Sequence, residues 1–301
     1  MTDPPLFAPA TPGFGRTRVG PRTFDWGERT FVMGILNATP DSFSGDGLLV
    51  VPGDPLEAAV AAGRRMVEEG ADILDVGGES TRPGHVDVEL QEERARVVPI
   101  IAALREALPE TPISVDTTKP AVAEAALAAG ADLVNDVWGV AEDDALPRLA
   151  ADHGVPMVVM HNRAEPRYTT FMAEVVADLE RAIERALRLG VRWEDLIVDP
   201  GFGFGKTPDH NLELLRELEV LRLLGRPILL GTSRKSTLGR VLDLPADERL
   251  EATLATTALG IAAGADVVRV HDVRANVRAA RMTDAVVRHA RPTSTMEGGP
   301  R

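Results

Sequence analysis

The chain contains no cysteine, and this absence excludes several kinds of chemistry at once. Disulfide bonds, thiolate metal ligands and a cysteine nucleophile are all ruled out. The sequence also lacks an apolar run near the roughly 18 residues of a membrane span, and its start, MTDPP, has no signal-peptide character. None of the six histidines is spaced as a helical metal pair, so zinc is not expected. We therefore expect a soluble protein of the cytoplasm.

The chain has fewer basic than acidic residues. Lysine and arginine total 33 against 46 aspartate and glutamate residues, which gives a formal net charge of -13 at pH 7. A field of this sign repels both a nucleic-acid backbone and an anionic membrane surface, so we predict neither as a partner. A small anionic ligand is compatible with the charge because it needs only a local positive pocket.

Short apolar runs alternate with longer stretches whose apolar residues recur at i, i+3 and i+4, as in an amphipathic helix. The runs are at 31–37, 72–78, 112–116, 132–136, 156–161, 195–199, 227–231 and 266–271. Eight strands alternating with eight helices over about 260 residues match a (β/α)₈ barrel in number and size. An open doubly wound sheet is the alternative, but such a sheet usually has five or six strands. It also needs a G-x-G-x-x-G fingerprint, which does not follow the first run.

We therefore predict an α/β fold, with a single (β/α)₈ TIM barrel over residues 23–290. The segment TFDWGERT at 23–30 is expected to form an N-terminal hairpin that caps the barrel floor. The terminal segments 1–22 and 291–301 are expected to be flexible, since both are rich in proline and glycine and have little apolar pattern.

Three predicted joints between a helix and the next strand share nearly the same sequence. Gly70, Gly130 and Gly264 are each followed by Ala-Asp and then by apolar residues. Glycine is favoured just after a helix because a Cβ is costly in the left-handed conformation there. Pro120 is the matching signal for the start of a helix.

Polar side chains stand at the carboxyl ends of nearly all predicted strands, and in a barrel these ends share the face that carries the chemistry. They are Asn37, Asp75, Asp116, Asn135, Asp136, His161, Asp199, Arg269 and His271. Any one Asp or Asn could simply cap the following helix. As a set, Asp116, Asn135 and Asp199 are expected to converge on one cavity. Lys235, Arg269 and His271 are expected to add positive charge on the adjacent side. Such a pocket suits a ligand with amine-type donors at one end and an anion at the other.

One glycine-rich segment is similar to a nucleotide-binding motif. Residues 199–207, DPGFGFGKT, resemble a phosphate-binding P-loop, but Pro200 occupies the position where that motif requires glycine. The P-loop interpretation therefore fails. We instead predict a glycine-rich loop that presents Phe202 or Phe204 to a flat ligand.

Lys235 has three possible roles. Some barrel enzymes form a Schiff base through a lysine. Lys235, however, lies four residues beyond Gly231, between Arg234 and Ser236 at a predicted helix start. Binding of an anion or a carbonyl oxygen fits that place better. A merely solvated lysine is the remaining alternative.

Seven motifs occur together and in order along the chain. They are MGILNATPDSFS (33–44), DVGGESTRPG (75–84), VDTTKPAVAEAAL (115–127), VNDVWG (134–139), DPGFGFGKT (199–207), GTSRKS (231–236) and RVHDV (269–273). With them the chain resembles the dihydropteroate synthase family of pterin-binding (β/α)₈ enzymes over residues 31–290. The resemblance implies a transferase of folate biosynthesis, which condenses 6-hydroxymethyl-7,8-dihydropterin pyrophosphate with 4-aminobenzoate to give 7,8-dihydropteroate and pyrophosphate.

The resemblance also implies a role for each side chain of the site. Asp116, Asp199 and Lys235 are implied to be catalytic and, with Asn135, to bind the pterin, whose amine and ring N–H donors need carboxylate and amide acceptors. The residues implied for pyrophosphate are Asn37, Thr81, Arg269 and His271. Those implied for 4-aminobenzoate are Phe43, Thr81, Arg82, Pro83, Phe204 and Ser236.

Mg²⁺ is the implied cofactor, bridging the pyrophosphate to Asn37 and water, because magnesium prefers hard oxygen ligands. One amide is a sparse protein site, so the metal is expected only with the substrate. The implied mechanism is loss of pyrophosphate before attack by the arylamine, through a cationic pterin-methylene species that Asp116 and Asp199 stabilise. The resemblance further implies a homodimer formed through the later helices.

Two alternatives come from other functional classes. One is a paralogue that binds pterin without catalysis, and the other is a methyltetrahydrofolate-dependent methyltransferase domain with a corrinoid partner. Both would need Asp116, Asn135 and Asp199, but neither would need the STRPG and SRKS segments. The presence of both segments favours the synthase.

Overall fold

The computed structural model of the protein describes residues 14–39, 54–79, 88–139 and 144–288. Within these residues, eight parallel strands form the central sheet, and two antiparallel strands precede it. The antiparallel pair is β1 (Arg16–Val19) and β2 (Arg22–Asp25). The parallel strands are β3 (Phe31–Asn37), β4 (Ile73–Gly77), β5 (Ile113–Asp116), β6 (Leu133–Asp136), β7 (Met157–Met160), β8 (Leu196–Asp199), β9 (Leu229–Leu230) and β10 (Val267–Val270).

The parallel sheet closes on itself into a barrel. Its strand order is β8-β7-β6-β5-β4-β3-β10-β9, and the two ends of this order meet through a parallel bridge between Val198 and Ile228. The Val198 N–H donates to the Pro227 carbonyl oxygen at 2.9 Å across the same seam. The predicted (β/α)₈ barrel is therefore confirmed, and the open sheet is excluded.

Helices connect successive strands around the outside of the barrel. They are α1 (Pro55–Glu68), α2 (Leu90–Ala107), α3 (Pro120–Ala128), α4 (Ala145–His153), α5 (Phe171–Arg188), α6 (Pro208–Arg216), α7 (Ser236–Leu242), α8 (Leu250–Ala262) and α9 (Val273–Val287). Pro120 opens α3, as predicted. The described residues contain nine α-helices where eight were predicted, because the short α7 intervenes between β9 and α8. None of the described helices combines the length and apolarity needed to cross a bilayer.

The backbone at the three repeated joints agrees with the sequence. Gly70, Gly130 and Gly264 have φ angles of +106°, +111° and +103°. Each follows the helix that leads into β4, β6 or β10. The repeated glycine therefore reverses the chain at a conformation that an L side chain rarely adopts.

The apolar core is divided into two layers by the barrel wall. A large layer packs the outer face of the strands against the helices. A second cluster fills the inside near the amino ends of the strands, and it contains Met33, Ile73, Leu133, Val158, Ile197, Leu229 and Val267. The strands are consequently buried on both faces, which explains their nearly continuous apolar sequences.

The N-terminal hairpin closes the barrel floor, as predicted. Phe24, Trp26 and Phe31 belong to the inner cluster, and the Phe24 and Phe31 rings lie 4.7 Å apart. The predicted bounds were wrong, however. The hairpin begins at Arg16, inside the segment 1–22 that was expected to be flexible, instead of spanning 23–30.

The early start of the hairpin has a local cause. Val19 is completely buried, and the hydroxyl of Thr17 accepts a 2.8 Å hydrogen bond from the Trp26 indole N–H. Only two residues of this four-residue strand point inward, and the neighbouring sequence is rich in arginine, proline and glycine. The alternation is therefore too short to predict a strand from the sequence.

Candidate active site

The carboxyl ends of the strands hold a cluster of acidic and basic side chains. Asp116 ends β5, Asn135 lies beside it in register on β6, and Asp199 ends β8. All three are buried. Lys235 enters from the loop after β9, and its ammonium group feels the charges of Asp199 and Asp116. The structure thus brings the four predicted pterin residues together at one mouth of the barrel.

Arg269 joins this cluster from across the barrel. Its Nε donates to Asp75 Oδ2 at 2.6 Å, and its Nη2 donates to Asp116 Oδ2 at 2.5 Å. The sequence predicts this guanidinium beside the carboxylates, and the family resemblance implies that it binds pyrophosphate. In the structure it instead pairs directly with two carboxylates.

Asp75 is the site residue to which the sequence analysis gave no role. It is completely buried, and its Oδ2 also accepts a 3.2 Å hydrogen bond from Asn135 Nδ2. Asp75 therefore links Asn135 to Arg269. The available signal was its position at the end of an apolar run, but the choice of partners depends on geometry across the barrel.

Two acceptor atoms of this cluster have no donor within the described part of the chain. Asp75 Oδ1 and Asp116 Oδ1 are buried and have no hydrogen-bond partner among the residues that the structure describes. A buried carboxylate oxygen without a donor costs free energy comparable to a lost hydrogen bond, or more because it is charged. The cluster therefore suits a ligand that brings N–H groups.

Burial and the neighbouring charges shift the pKa values of Asp116 and Arg269. Burial raises the pKa of Asp116 to about 7, and the charge of Asp75 adds to the rise, although Arg269 opposes it. Burial works against the charge of Arg269, but the two carboxylates hold its pKa above the usual range. One cation between two buried carboxylates leaves the trio with an excess negative charge when all are ionised.

Asp199 and Lys235 form a second pair of opposite charges. Burial raises the pKa of Asp199, opposed by Lys235 and by the Gly201 N–H, which donates to Asp199 Oδ1 at 2.7 Å. Burial lowers the pKa of Lys235 to about 8, although Asp199 and Asp116 favour its charged form. Lys235 is half-buried and interacts with the charges of two carboxylates, which excludes the merely solvated lysine.

The glycine-rich loop after β8 covers Lys235. The Lys235 ammonium group donates to the carbonyl oxygen of Phe202, and it lies 4.4 Å from the centroid of the Phe204 ring. Phe202 itself is fully buried in the outer core, so it cannot present its ring to a ligand. Of the two predicted aromatic residues, only Phe204 remains partly exposed beside the site.

The rim of the site is formed by the segments after β9 and β10. His271 Nδ1 is paired with the Ser233 hydroxyl at 2.9 Å. Arg234 turns away from the site and makes a bidentate ion pair with Asp272, at 3.0 and 2.8 Å. Ser236 is the exposed first residue of α7. This arrangement directs Lys235 inwards while its two neighbours stay outside.

The remaining predicted site residues divide into two groups. Asn37 is half-buried at the end of β3, next to Gly77 of β4 in register. The others lie outside the described residues, and they are Phe43, Thr81, Arg82 and Pro83. Most of the predicted aminobenzoate pocket is therefore not described.

Metal ligands are sparse in the described part of the chain. No group of three or more His, Asp or Glu side chains there could hold a metal ion. The amide of Asn37 is the protein ligand that the sequence analysis assigned. The described residues therefore do not form a metal site made by the protein alone.

A closed barrel with a buried acceptor cluster at the carboxyl ends of its strands is typical of enzymes of this fold. The pterin-binding enzyme family matches residues 33–271, so the chain belongs to that family. The chain is 50% identical to the dihydropteroate synthase of Clostridium beijerinckii over 272 residues, which cover 90% of this chain and 99% of the relative.

The chain is also similar to solved structures of dihydropteroate synthases. A dihydropteroate synthase from Clostridium difficile, crystallised in the presence of pteroic acid, has a TM-score of 0.83 and 49% identity, covering 88% of this chain and 99% of that one. A Xanthomonas albilineans dihydropteroate synthase in complex with 7,8-dihydropteroate has a TM-score of 0.81 and 41% identity, covering 92% and 100%.

Proposed function

We propose that the chain is a transferase of folate biosynthesis that catalyses the dihydropteroate synthase reaction. It joins 6-hydroxymethyl-7,8-dihydropterin pyrophosphate to 4-aminobenzoate and releases pyrophosphate. The observation that supports this most directly is the buried acceptor cluster of Asp75, Asp116, Asn135 and Asp199 beneath two cations. The chain aligns with the dihydropteroate synthases described above over nearly the whole length of those proteins.

The acceptor cluster matches the hydrogen-bonding edge of a pterin. In the proposed complex, Asp199 accepts from the 2-amino group and N3, Asn135 contacts the neighbouring edge, and Asp116 accepts from the far ring nitrogen. Lys235 donates to the ring oxygen and N5. A ligand without these donors would leave buried carboxylates unpaired, so the site discriminates strongly against it.

The proposed reaction passes through a positively charged pterin-methylene species, which the site must stabilise. The bond between the pterin methylene carbon and the pyrophosphate oxygen breaks first, and the electron pair leaves with the pyrophosphate. Asp116 and Asp199 stabilise the resulting cation electrostatically because both are held in place before the reaction. The amine nitrogen of 4-aminobenzoate attacks the methylene carbon and afterwards loses a proton.

The pyrophosphate is bound at the rim by Asn37, Thr81, Arg269 and His271. Arg269 contacts Asp75 and Asp116 in the structure, so it must turn towards the rim to reach the anion. The second carboxylate oxygen of Asp116 already lacks a partner within the described residues. The departure of Arg269 would free the first oxygen for the pterin.

Mg²⁺ is proposed to arrive bound to the substrate's pyrophosphate, with the Asn37 amide oxygen as a protein ligand. Pyrophosphate oxygens and water are the hard ligands that magnesium prefers. With these as ligands, the ion would not need a group of three or more protein ligands, and the described residues contain no such group. Bound there, the ion would neutralise charge on the leaving group.

The aminobenzoate pocket is proposed to lie on the other side of the methylene carbon. Phe204 offers a half-exposed ring beside Lys235, and the exposed hydroxyl of Ser236 is available for the carboxylate. Phe43, Thr81, Arg82 and Pro83 complete the proposed pocket from the two loops outside the described residues.

The chain is further proposed to form a homodimer through α8 and α9. These helices pack side by side, and they expose Leu259, Met282 and Val286, with 62%, 66% and 48% of their surfaces accessible. Adjacent apolar side chains of this size on a surface favour association, and a twofold contact buries the same patch on both copies.

The deciding experiment mixes the purified protein with the pterin pyrophosphate, 4-aminobenzoate and Mg²⁺. Pyrophosphate release is measured with and without the arylamine, and dihydropteroate is measured in parallel. We expect release to depend on the arylamine and to match product formation. Pterin binding without turnover would support the non-catalytic paralogue, and methyl transfer from methyltetrahydrofolate would support the methyltransferase.

A further inference from the structure

Lys206 occupies the position of the phosphate-binding lysine in the P-loop-like segment, yet its hydrogen bonds in the structure are to His161 and to the protein backbone. Its ammonium group lies 2.8 Å from His161 Nδ1 and donates to the carbonyl oxygens of Phe204 at 3.0 Å and His161 at 3.4 Å. Three protein acceptors thus surround its three N–H groups. This lysine binds the loop to the neighbouring strand end, and the proposed reaction gives it no role.

The histidine partner of Lys206 is itself fixed. His161 is completely buried, and its Nε2 lies 3.1 Å from Asp178 Oδ2. An ammonium group only donates hydrogen bonds, so Nδ1 accepts from Lys206 and the Nε2–H donates to Asp178. Arg163 Nε also binds Asp178 Oδ2, at 2.8 Å. Lys206 is therefore attached to an anchored network on β7 and α5.

The loop that carries Lys206 is seated tightly on this network. A Cβ on Gly201 would lie 1.8 Å from the His161 carbonyl oxygen, and one on Gly205 would lie 2.3 Å from that of Arg163. The Tyr168 hydroxyl donates to the Gly205 carbonyl oxygen at 2.7 Å. The glycines permit close approach between the backbone of this loop and the backbone of the segment after β7. Lys206 supplies charge-assisted hydrogen bonds between the two segments.

The same loop reaches the reacting side of the site through Phe204. Lys206 binds the carbonyl oxygen of Phe204, while the ring of Phe204 lies over the Lys235 ammonium group. Loss of the Lys206 hydrogen bond would free the backbone at Phe204. The ring would then sample other positions beside Lys235.

We propose that Lys206 is a positioning residue for the second substrate, which holds Phe204 in the aminobenzoate pocket through the backbone carbonyl. This inference depends on the proposed function, since it assigns a step of that reaction. Lys206 itself touches neither substrate. Its effect should therefore appear mainly in the KM for 4-aminobenzoate, with a much smaller effect on pterin affinity through its charge interaction with Asp199.

The charge of Lys206 gives an independent readout. Burial lowers the pKa of Lys206 to about 7, opposed by Asp199 and Asp178 and reinforced by Lys235 and Arg163. Above this pH the amine is neutral, and its hydrogen bonds to the carbonyl oxygens lose their charge assistance. The KM for 4-aminobenzoate should therefore rise as the pH passes through 7, and an arginine at this position should remove that rise.

The test compares Lys206→Met with Lys206→Arg in the pyrophosphate-release assay. Methionine should raise the KM for 4-aminobenzoate about tenfold, which corresponds to the loss of one charge-assisted hydrogen bond. Arginine should recover most of the loss. Calorimetry with the pterin pyrophosphate should give affinities within about twofold of the wild type for both variants.

Phe204→Leu supplies the matched comparison. If Lys206 acts through Phe204, the double variant should have nearly the same KM as either single variant, because the two changes remove one interaction. Multiplicative effects, an unchanged KM in Lys206→Met, or an equal loss of pterin affinity would each overturn the inference.

Lys206→Gln settles the case in which the methionine variant does not fold. A KM for 4-aminobenzoate that stays at the wild-type value in this variant would overturn the inference, since glutamine cannot supply a charge-assisted hydrogen bond. An inactive wild type would overturn the proposed function as well. An active wild type with an unaffected Lys206→Met variant would overturn this inference alone.

Discussion

Replacing the buried His161 with glutamine should make folding less sensitive to acid. Burial lowers the pKa of His161 to about 3 in the folded chain, with Lys206 adding to the shift, whereas an unfolded histidine titrates near 6.5. Between these pH values the unfolded state binds more protons than the folded state. The contribution of His161 to stability is therefore present above pH 6.5 and is lost as the pH falls towards 3.

The size of the effect follows from the two pKa values. A shift from 6.5 to about 3 amounts to at most about 5 kcal/mol over the full range. Between pH 7 and pH 5, where most carboxylates stay ionised, the linkage gives about 2 kcal/mol. The raised pKa of Asp116 acts with the opposite sign in this range. The comparison must therefore be between the variant and the wild type at each pH.

Urea denaturation at pH 7, 6 and 5 measures the free energy of unfolding of both proteins. The difference between His161→Gln and the wild type should change by about 2 kcal/mol across this range in favour of the variant, whatever the stability of the variant at pH 7. The matched control is His153→Gln, which makes the same substitution at an exposed histidine on α4. Parallel curves for His161→Gln and the wild type would refute the claim that His161 is buried neutral.

Three further predictions concern the site and the assembly. Asp199→Ala should weaken pterin binding at least about thirtyfold, because it leaves donors and Lys235 without their acceptor, and near-normal affinity by calorimetry would contradict this. Asp75→Asn should lower the pKa of Asp116 by removing a neighbouring negative charge, which would move the acid limb of kcat/KM to lower pH, and an unmoved limb would contradict the assigned pair. Met282→Glu should give a monomer in sedimentation analysis, and an intact dimer would exclude the α8–α9 face.

The barrel could be predicted because its signals are local and repeated. Most strands are short apolar runs with a polar residue at or just after the carboxyl end, and Gly70, Gly130 and Gly264 adopt the positive φ that their repeated sequence predicts. The hairpin start was missed because Thr17 and Val19 turn inward only in the presence of Trp26 and the barrel floor. Tertiary packing, more than local preference, decides such a short strand.

The site could be predicted as a set of residues but not as a set of contacts. The topology alone places Asp116, Asn135 and Asp199 at one mouth, since parallel strands share their carboxyl ends. The partner of Arg269 depends on which side chains face it across the barrel, and sequence spacing does not contain that information. The same limit applies to Lys206, whose motif suggests phosphate while its contacts are with His161 and the loop backbone.

The position of Arg269 connects the two halves of the proposed reaction. While it pairs with Asp75 and Asp116, the three carboxylates that include Asp199 are only partly neutralised by two cations, Arg269 and Lys235. A pyrophosphate that draws the guanidinium to the rim removes one of these cations from the interior. The acceptors then hold more negative charge at the stage when the pterin methylene becomes positive. Charges interact strongly in a buried site. We therefore expect that Arg269, by binding the departing pyrophosphate, also leaves a more negative environment that stabilises the pterin methylene cation.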